Sequence, residues 1–186
     1  NFTRFDGSAS LTFFKAKLDD EIKTIYAADF TSTAKNFDGT SDRDGIELST
    51  TIELNPNIIL PASFTYSDSS ERNSMNEEVR ELRRPKHIGS LNVAWQPASS
   101  LMVNANFQYN GSQSDVYFPP WPNPMETVSM DDYTLVNVRA NYKINQKLDI
   151  FIRLDNLTDE KYEDVFGYQT LGFGFGIGAR YSFWGK

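Results

Sequence analysis

The stretch Leu171-Gly172-Phe173-Gly174-Phe175-Gly176-Ile177-Gly178-Ala179-Arg180-Tyr181-Ser182-Phe183 decides how the rest of the chain is read. Every odd position is apolar or aromatic, and every even position is Gly, Arg or Ser. A repeat of two is the period of a β-strand, whose successive side chains point to opposite faces. A helix would scatter Phe173 and Phe175 over different faces, and its glycines would weaken it. Glycine weakens a strand interior too. Here the glycines are confined to the non-apolar face, which predicts that something approaches that face closely.

The same alternation recurs upstream. Leu148, Ile150, Ile152 and Leu154 alternate with Asp149, Phe151, Arg153 and Asp155. Val136, Val138, Ala140 and Tyr142 alternate with Asn137, Arg139, Asn141 and Lys143. Further strands are predicted at 101–109, 89–95, 58–66 and 46–54. Two weaker ones fall at 8–18 and 21–30, where Phe13-Phe14 leaves the facing ambiguous. Aromatics such as Tyr66, Trp95, Tyr109, Tyr142 and Tyr181 crowd the strand ends, as in the interfacial girdles of a membrane barrel.

Turn-forming residues mark short connections at Asp19-Asp20, Asn55-Pro56-Asn57, Gln96-Pro97-Ala98-Ser99 and Ile144-Asn145-Gln146. Long polar stretches lie between them, at 27–40, 67–84, 110–132 and 158–170. Short and long connections therefore alternate, the rhythm of an outer-membrane barrel with short periplasmic turns and long external loops. The expectation is an all-β fold, an antiparallel up-and-down transmembrane β-barrel portion of about nine strands. A soluble sandwich or barrel also alternates and is the competing reading.

Composition narrows the function. Net charge is −7 over 186 residues, so no basic field points to nucleic acid. The chain has no cysteine, which removes disulfides, cysteine-zinc sites and thiol catalysis. No run of apolar residues is long enough for a membrane-spanning helix. A mean hydropathy of −0.49 suits membrane strands, in which only every second residue is apolar. The first residue is Asn1, which reads as a mature product or a fragment.

Two motifs carry a resemblance. Asn156-Leu157-Thr158-Asp159-Glu160-Lys161-Tyr162 follows an alternating strand and precedes the Gly-rich one. Leu82-Arg83-Arg84-Pro85-Lys86-His87 leads into a strand ending at Trp95. Together these resemble the C-terminal part of TonB-dependent outer-membrane receptors, and the second is similar to the vitamin B12 and siderophore branches. The resemblance implies a 22-stranded barrel with an internal plug and a TonB box. It implies that residues 1–186 are a C-terminal barrel segment from which the plug is absent. It also implies a bacterial outer-membrane location, lipid around the barrel, TonB acting through the plug, and a small-molecule metal complex, cobalamin or a siderophore, as ligand. The family usually ends on an aromatic residue, whereas Trp184-Gly185-Lys186 follows Phe183 here.

The site candidates lie in the longest loop, where Tyr117, Phe118 and Trp121 stand among Pro119, Pro120, Pro122 and Pro124. Proline restricts the backbone, so Phe118 and Trp121 are expected outward as a platform for a planar ligand. A loop simply packed on its neighbours is the alternative. Glutamates and arginines interleave over 68–86, most simply as mutually neutralising charges, with Arg83 and Arg84 also candidates for a structural role at the barrel rim. Asp38, Asp42 and Asp44 have calcium-like spacing but lack the terminal Glu of an EF-hand, so a turn is expected. His87 is the single histidine, so neither a zinc site nor a Ser-His-Asp triad is expected, and no cofactor or resident metal.

The leading function is TonB-dependent uptake of a metal complex, without enzymatic activity. A complete small outer-membrane barrel with a structural or adhesive role is the alternative. An outer-membrane hydrolase and a soluble carbohydrate-binding domain are more distant. The unpaired edges of an open sheet also predict that the isolated chain self-associates.

Overall fold

Thirteen strands and no helix form over the described residues of the computed structural model, 6–26, 31–36, 39–72 and 77–183. In chain order they are β1 (Asp6–Asp19), β2 (Ile22–Tyr26), β3 (Ser32–Asn36), β4 (Thr40–Asn55), β5 (Ile58–Arg72), β6 (Glu78–Arg80) and β7 (His87–Ala98). There follow β8 (Leu101–Asn110), β9 (Gln113–Tyr117), β10 (Glu126–Met130), β11 (Tyr133–Lys143), β12 (Leu148–Asp155) and β13 (Gly174–Tyr181). Eight long strands pair antiparallel in the order β1-β4-β5-β7-β8-β11-β12-β13, and short β6 adds to β5 as the ninth member of the sheet. The hairpins β2–β3 and β9–β10 stand apart from it.

The register puts like with like. Val103 of β8 lies between Trp95 and Ala140, and Ile152 of β12 lies between Ala140 and Ile177. On the other face Asn106 lies between Asn92 and Asn137. A soluble sheet would bury the apolar face. Here Phe13, Phe175 and Ile177 are 71, 62 and 66% exposed, and the only buried hydrophobic residue among those described is Met130. An apolar band facing outward across all eight strands fits a hydrocarbon layer. Trp95, Tyr142 and Tyr181 border it at the short-turn end, and Tyr66 and Tyr109 at the long-loop end.

What approaches the glycine face is the neighbouring strand's own side chain. Phe151 sits opposite Gly178, and a Cβ there would run into its ring. Phe14 and Gly45 repeat the arrangement between β1 and β4, which settles the facing of the pair: Phe14 points inward and Phe13 outward.

Three details depart from expectation. Within the expected strand 21–30, Ile22–Tyr26 pairs with β3 and not with the wall, and 27–30 lie outside the described residues; β1 pairs directly with β4 from Asp6↔Glu53 to Asp19↔Thr40, so Asp19-Asp20 is a bend and not a hairpin turn. Asp20 takes a left-handed φ of 57°, which Asp tolerates better than most residues. The last strand pairs only over Gly174–Tyr181. Its partner β12 stops at Asp155 because Asn156 turns left-handed (φ 47°) and the Leu157 N–H donates to the Val136 carbonyl instead. The long connections at 27–40 and 110–132 also hold strands of their own, β3 in the first and β9–β10 in the second.

A branched side chain at Gly178 must displace the Phe151 ring. Gly178→Val is expected to lower the yield of heat-modifiable, folded protein on gels, and adding Phe151→Ala should restore much of it. No rescue would mean that the β12–β13 contact does not limit folding.

Candidate functional site

Above the apolar band the chain continues into a layer of loops held by a few buried polar groups. Asp115 of β9 is fully buried. Its Oδ1 accepts from Arg83 Nε at 2.7 Å and from the Val116 N–H at 2.8 Å, and its Oδ2 accepts from the Phe166 N–H at 2.9 Å. Arg83, left-handed at φ 57°, also donates its own N–H to the Ser114 carbonyl at 2.8 Å. One carboxylate thereby ties together the connections β6–β7, β8–β11 and β12–β13. Gln113 Nε2 reaches the Asp164 carbonyl at 3.1 Å, and Tyr133 Oη donates to Asp164 Oδ1 at 2.5 Å. A second knot joins Arg43 of β4 to Glu81 through two bonds, 2.9 and 2.5 Å, and to Glu21 at 3.3 Å. Charges of 68–86 thus pair with one another and with their neighbours, Glu81 with Arg43, Asp68 with Lys86 and Arg83 with Asp115. Arg83 holds the rim together, and Arg84 lies 3.9 Å from Glu81.

The three aromatic candidates separate. Tyr117 ends β9 and packs edge-on against Phe166, ring centroids 5.4 Å apart. Phe118 and Trp121 project from the β9–β10 hairpin, 73 and 93% exposed. The tip is closed by Asn123, whose backbone N–H and side-chain amide both donate to the Pro120 carbonyl.

The remaining candidates stay bland. Asp42 and Asp44 are not in the expected turn but within β4, because the β1–β4 ladder runs on to Asp19↔Thr40 and sets them opposite Lys17 and Lys15, while Asp38 lies outside the described residues. Among the described residues no three potential ligands gather for a metal. His87 lies against the rings of Phe64 and Tyr66, at 5.9 and 5.3 Å.

The inward face forms a second surface. Asn92, Asn104, Asn106, Gln108, Asn137 and Asn141 line most of one concavity across β7, β8 and β11, which Arg139 and Asp155 complete. Amides both donate and accept without carrying charge, so most of this wall stays wetted. Asn156, 5% exposed, anchors the β12–β13 loop: its Oδ1 accepts from the Glu160 N–H at 2.8 Å and its Nδ2 donates to the Glu160 carbonyl at 3.0 Å. Asp159 accepts from the Phe173 N–H at 2.8 Å. The Asn-Leu-Thr-Asp motif is therefore a loop-closing device. Asp115 carries no signal in sequence, because nothing local marks a carboxylate whose partners are 32 and 51 residues away.

Burial disfavours the charged form of Asp115, but the Phe166 N–H, the Arg83 guanidinium and the Val116 N–H outweigh it and hold the carboxyl below its ordinary value. Such a group stabilises the fold fully above its unfolded pKa and loses that effect as pH falls through the folded one. Exchange protection of the Phe166 amide, corrected for its intrinsic rate, should hold down to about pH 4 and fall away below it. Asp115→Asn should abolish that acid step. A step that survives the substitution would show that another group controls the loop.

The family profile "TonB dependent receptor-like, beta-barrel" matches residues 1–157. The vitamin B12 transporter BtuB of Vibrio cholerae is 26% identical over 182 residues, covering 94% of this chain and 27% of that protein. The pyoverdine outer membrane receptor FpvA of Pseudomonas aeruginosa superposes with a TM-score of 0.75 at 19% identity, over 95% of this chain and 27% of its own. The siderophore receptor PirA of Acinetobacter baumannii gives 0.73 at 18%, over 95% and 30%. The chain thus spans about a quarter of the length of the curated relatives it matches. With the open antiparallel wall and its outward apolar band, the match is decisive: the chain belongs to the TonB-dependent receptor family and forms part of its outer-membrane β-barrel.

Proposed function

We propose that the chain is the C-terminal barrel segment of a receptor that takes up a metal complex by a TonB-driven route, with cobalamin or a ferric siderophore as cargo. TonB would act through a plug contributed by another part of the receptor. The observation that carries this reading is the two-faced wall, apolar outside and amide-lined inside, with its long loops gathered at one end. A transport family accords with it, and nothing in the reading calls for an enzyme. BtuB's name favours cobalamin, and the structural neighbours favour a siderophore.

Within the loops, Phe118 and Trp121 are the proposed ligand contacts, with Tyr117 bracing them through Phe166. Their exposure on a proline-stiffened tip keeps the entropic cost of stacking low. Binding of cyanocobalamin and of ferripyoverdine to the full-length receptor is the direct test. Trp121→Ala should weaken the cognate ligand by about tenfold, on the scale of one buried aromatic contact. Unchanged affinity would retire the platform, and failure of both ligands would retire the cargo assignment.

The self-closed small barrel is disfavoured, because β1 and β13 end the sheet without pairing to each other. Residues 1–186 expressed alone should therefore self-associate through those edges. Light scattering that shows a stable monomer without detergent would contradict this.

A further inference from the structure

The net charge of −7 resides in two loops. Residues 111–132 and 156–173, the connections β8–β11 and β12–β13, carry eight carboxylates and one lysine. The chain has 25 acidic and 18 basic residues in all, so the rest of it balances at 17 of each. Asp115 is neutralised by Arg83 and Asp159 by Lys161. Glu126, Asp131, Asp132, Glu160, Glu163 and Asp164 make no ion pair among the described residues. The donors that reach them are uncharged: the Gly167 N–H to Glu163 at 2.8 Å, Tyr133 Oη to Asp164 and the Tyr109 hydroxyl to Asp132.

Charge of one sign at an opening raises the local concentration of the opposite ion, most strongly where low-dielectric walls focus the field. Such walls are present here. Between the β10–β11 corner and the β12–β13 loop lies a cavity of about 300 Å³, whose lining brings Tyr133, Tyr162 and Phe166 together with Asp131, Asp132 and Glu163. Lys161 is the one cation on that lining, and both carboxylate oxygens of Asp159 hold its Nζ at 3.0 Å. In the same layer Phe118 and Trp121 stand exposed, on a connection with no lysine or arginine from Gly111 to Asp132.

The two kinds of side chain ask for the same ligand chemistry. A ring face is the negative part of an aromatic quadrupole and attracts a cation within about 6 Å of its centre. Rings set among guanidiniums suit a carboxylate or a catecholate. Rings set among unpaired carboxylates suit an ammonium or a guanidinium. No three of these carboxylates gather as ligands for a bare metal ion among the described residues, so their charge acts as a field on a larger cation and not as a chelate.

We infer that this corner of the loop layer selects the cargo by its charge: it takes a metal complex whose periphery bears an ammonium or guanidinium, held against the rings of Tyr133, Tyr162 and Phe166, and it turns polyanionic complexes away. Asp131, Asp132 and Glu163 steer the charged group to the cavity, and the rings hold it there. The inference rests on the reading of the chain as part of a receptor for a metal complex, and it narrows that cargo to one class of charge.

Collision rates test it without reference to any one cargo. In the full-length receptor, Gln169→Cys carries a nitroxide on the cavity wall, and two chromium complexes of similar size relax it, the tris(ethylenediamine) trication and the tris(oxalato) trianion. At low ionic strength, and relative to the same nitroxide free in solution, the trication should collide at least about tenfold more often than the trianion. Asp131→Asn, Asp132→Asn and Glu163→Gln together should remove most of that difference. If this variant does not fold, Asp131→Asn with Asp132→Asn is read in the same way. Equal collision rates before substitution overturn the inference, and so does a difference that the substitutions leave intact. A second comparison reads the cargo itself. Ferrioxamine B, a ferric trihydroxamate with a free ammonium, should bind at least about tenfold tighter than its N-acetylated form, the scale of one desolvated cation–ring contact. Equal or tighter binding of the acetylated form overturns the inference. Binding of neither form, with the collision difference in place, retires the trihydroxamate as cargo and upholds the selection by charge, so the two failures are told apart.

Discussion

The hydrocarbon layer offers no water to an unpaired backbone group, and that absence organises the whole chain. Each strand must bond to neighbours along its membrane-spanning length, which forces long antiparallel pairs such as the one running from Asp6↔Glu53 to Asp19↔Thr40. Once the ladder is fixed, the period of two assigns every side chain to lipid or to lumen. Outward residues need only be apolar, with Tyr and Trp at the two borders. Inward residues are freed from that demand and become Ser, Asn, Arg and Glu. That Met130 alone is buried among the described hydrophobic residues follows directly, because the apolar solvent of this wall is the membrane itself.

Beyond the membrane the rule lapses and a different one takes over. The loops have little apolar area to bury, so they are organised by desolvated charge. Asp115 and Glu81 each sit at a point where several connections converge, and each is matched by an arginine from a distant stretch of chain. A carboxylate buried beside its arginine is costly to uncover, because removing one partner strands the other. That asymmetry fixes loop geometry without a hydrophobic core. It also leaves the proline-rich tip of the β9–β10 hairpin outside these knots, with Trp121 exposed on it.

The legibility of the sequence divides along the same line. Strands in the membrane were readable because one physical rule acts on every second residue: the faces of 46–54, 58–66, 89–95 and 101–109 emerge as expected. Ile22–Tyr26 misleads because its alternation belongs to a local hairpin with β3, apart from the sheet, where the period of two carries no lipid–lumen meaning. Leu171–Phe173 continues the apolar alternation of β13 although its partner has turned away at Asn156, so pattern alone overran the ladder. The Asp115 knot was invisible for a different reason, since its partners are distant in sequence. Phe118 and Trp121 could be singled out, because proline stiffness is a local property. What they touch is not.

The account stands or falls on the assignment of faces. Single cysteines placed along Gly174–Tyr181 in the full-length receptor, in native outer membranes, test it most directly. Positions 174, 176 and 180 should react with a small water-soluble maleimide. Positions 175, 177 and 179 should resist it and instead permit quenching of an attached fluorophore by lipid-borne nitroxide. Labelling with no period of two, or with the two sets exchanged, would contradict the membrane wall from which every other conclusion follows.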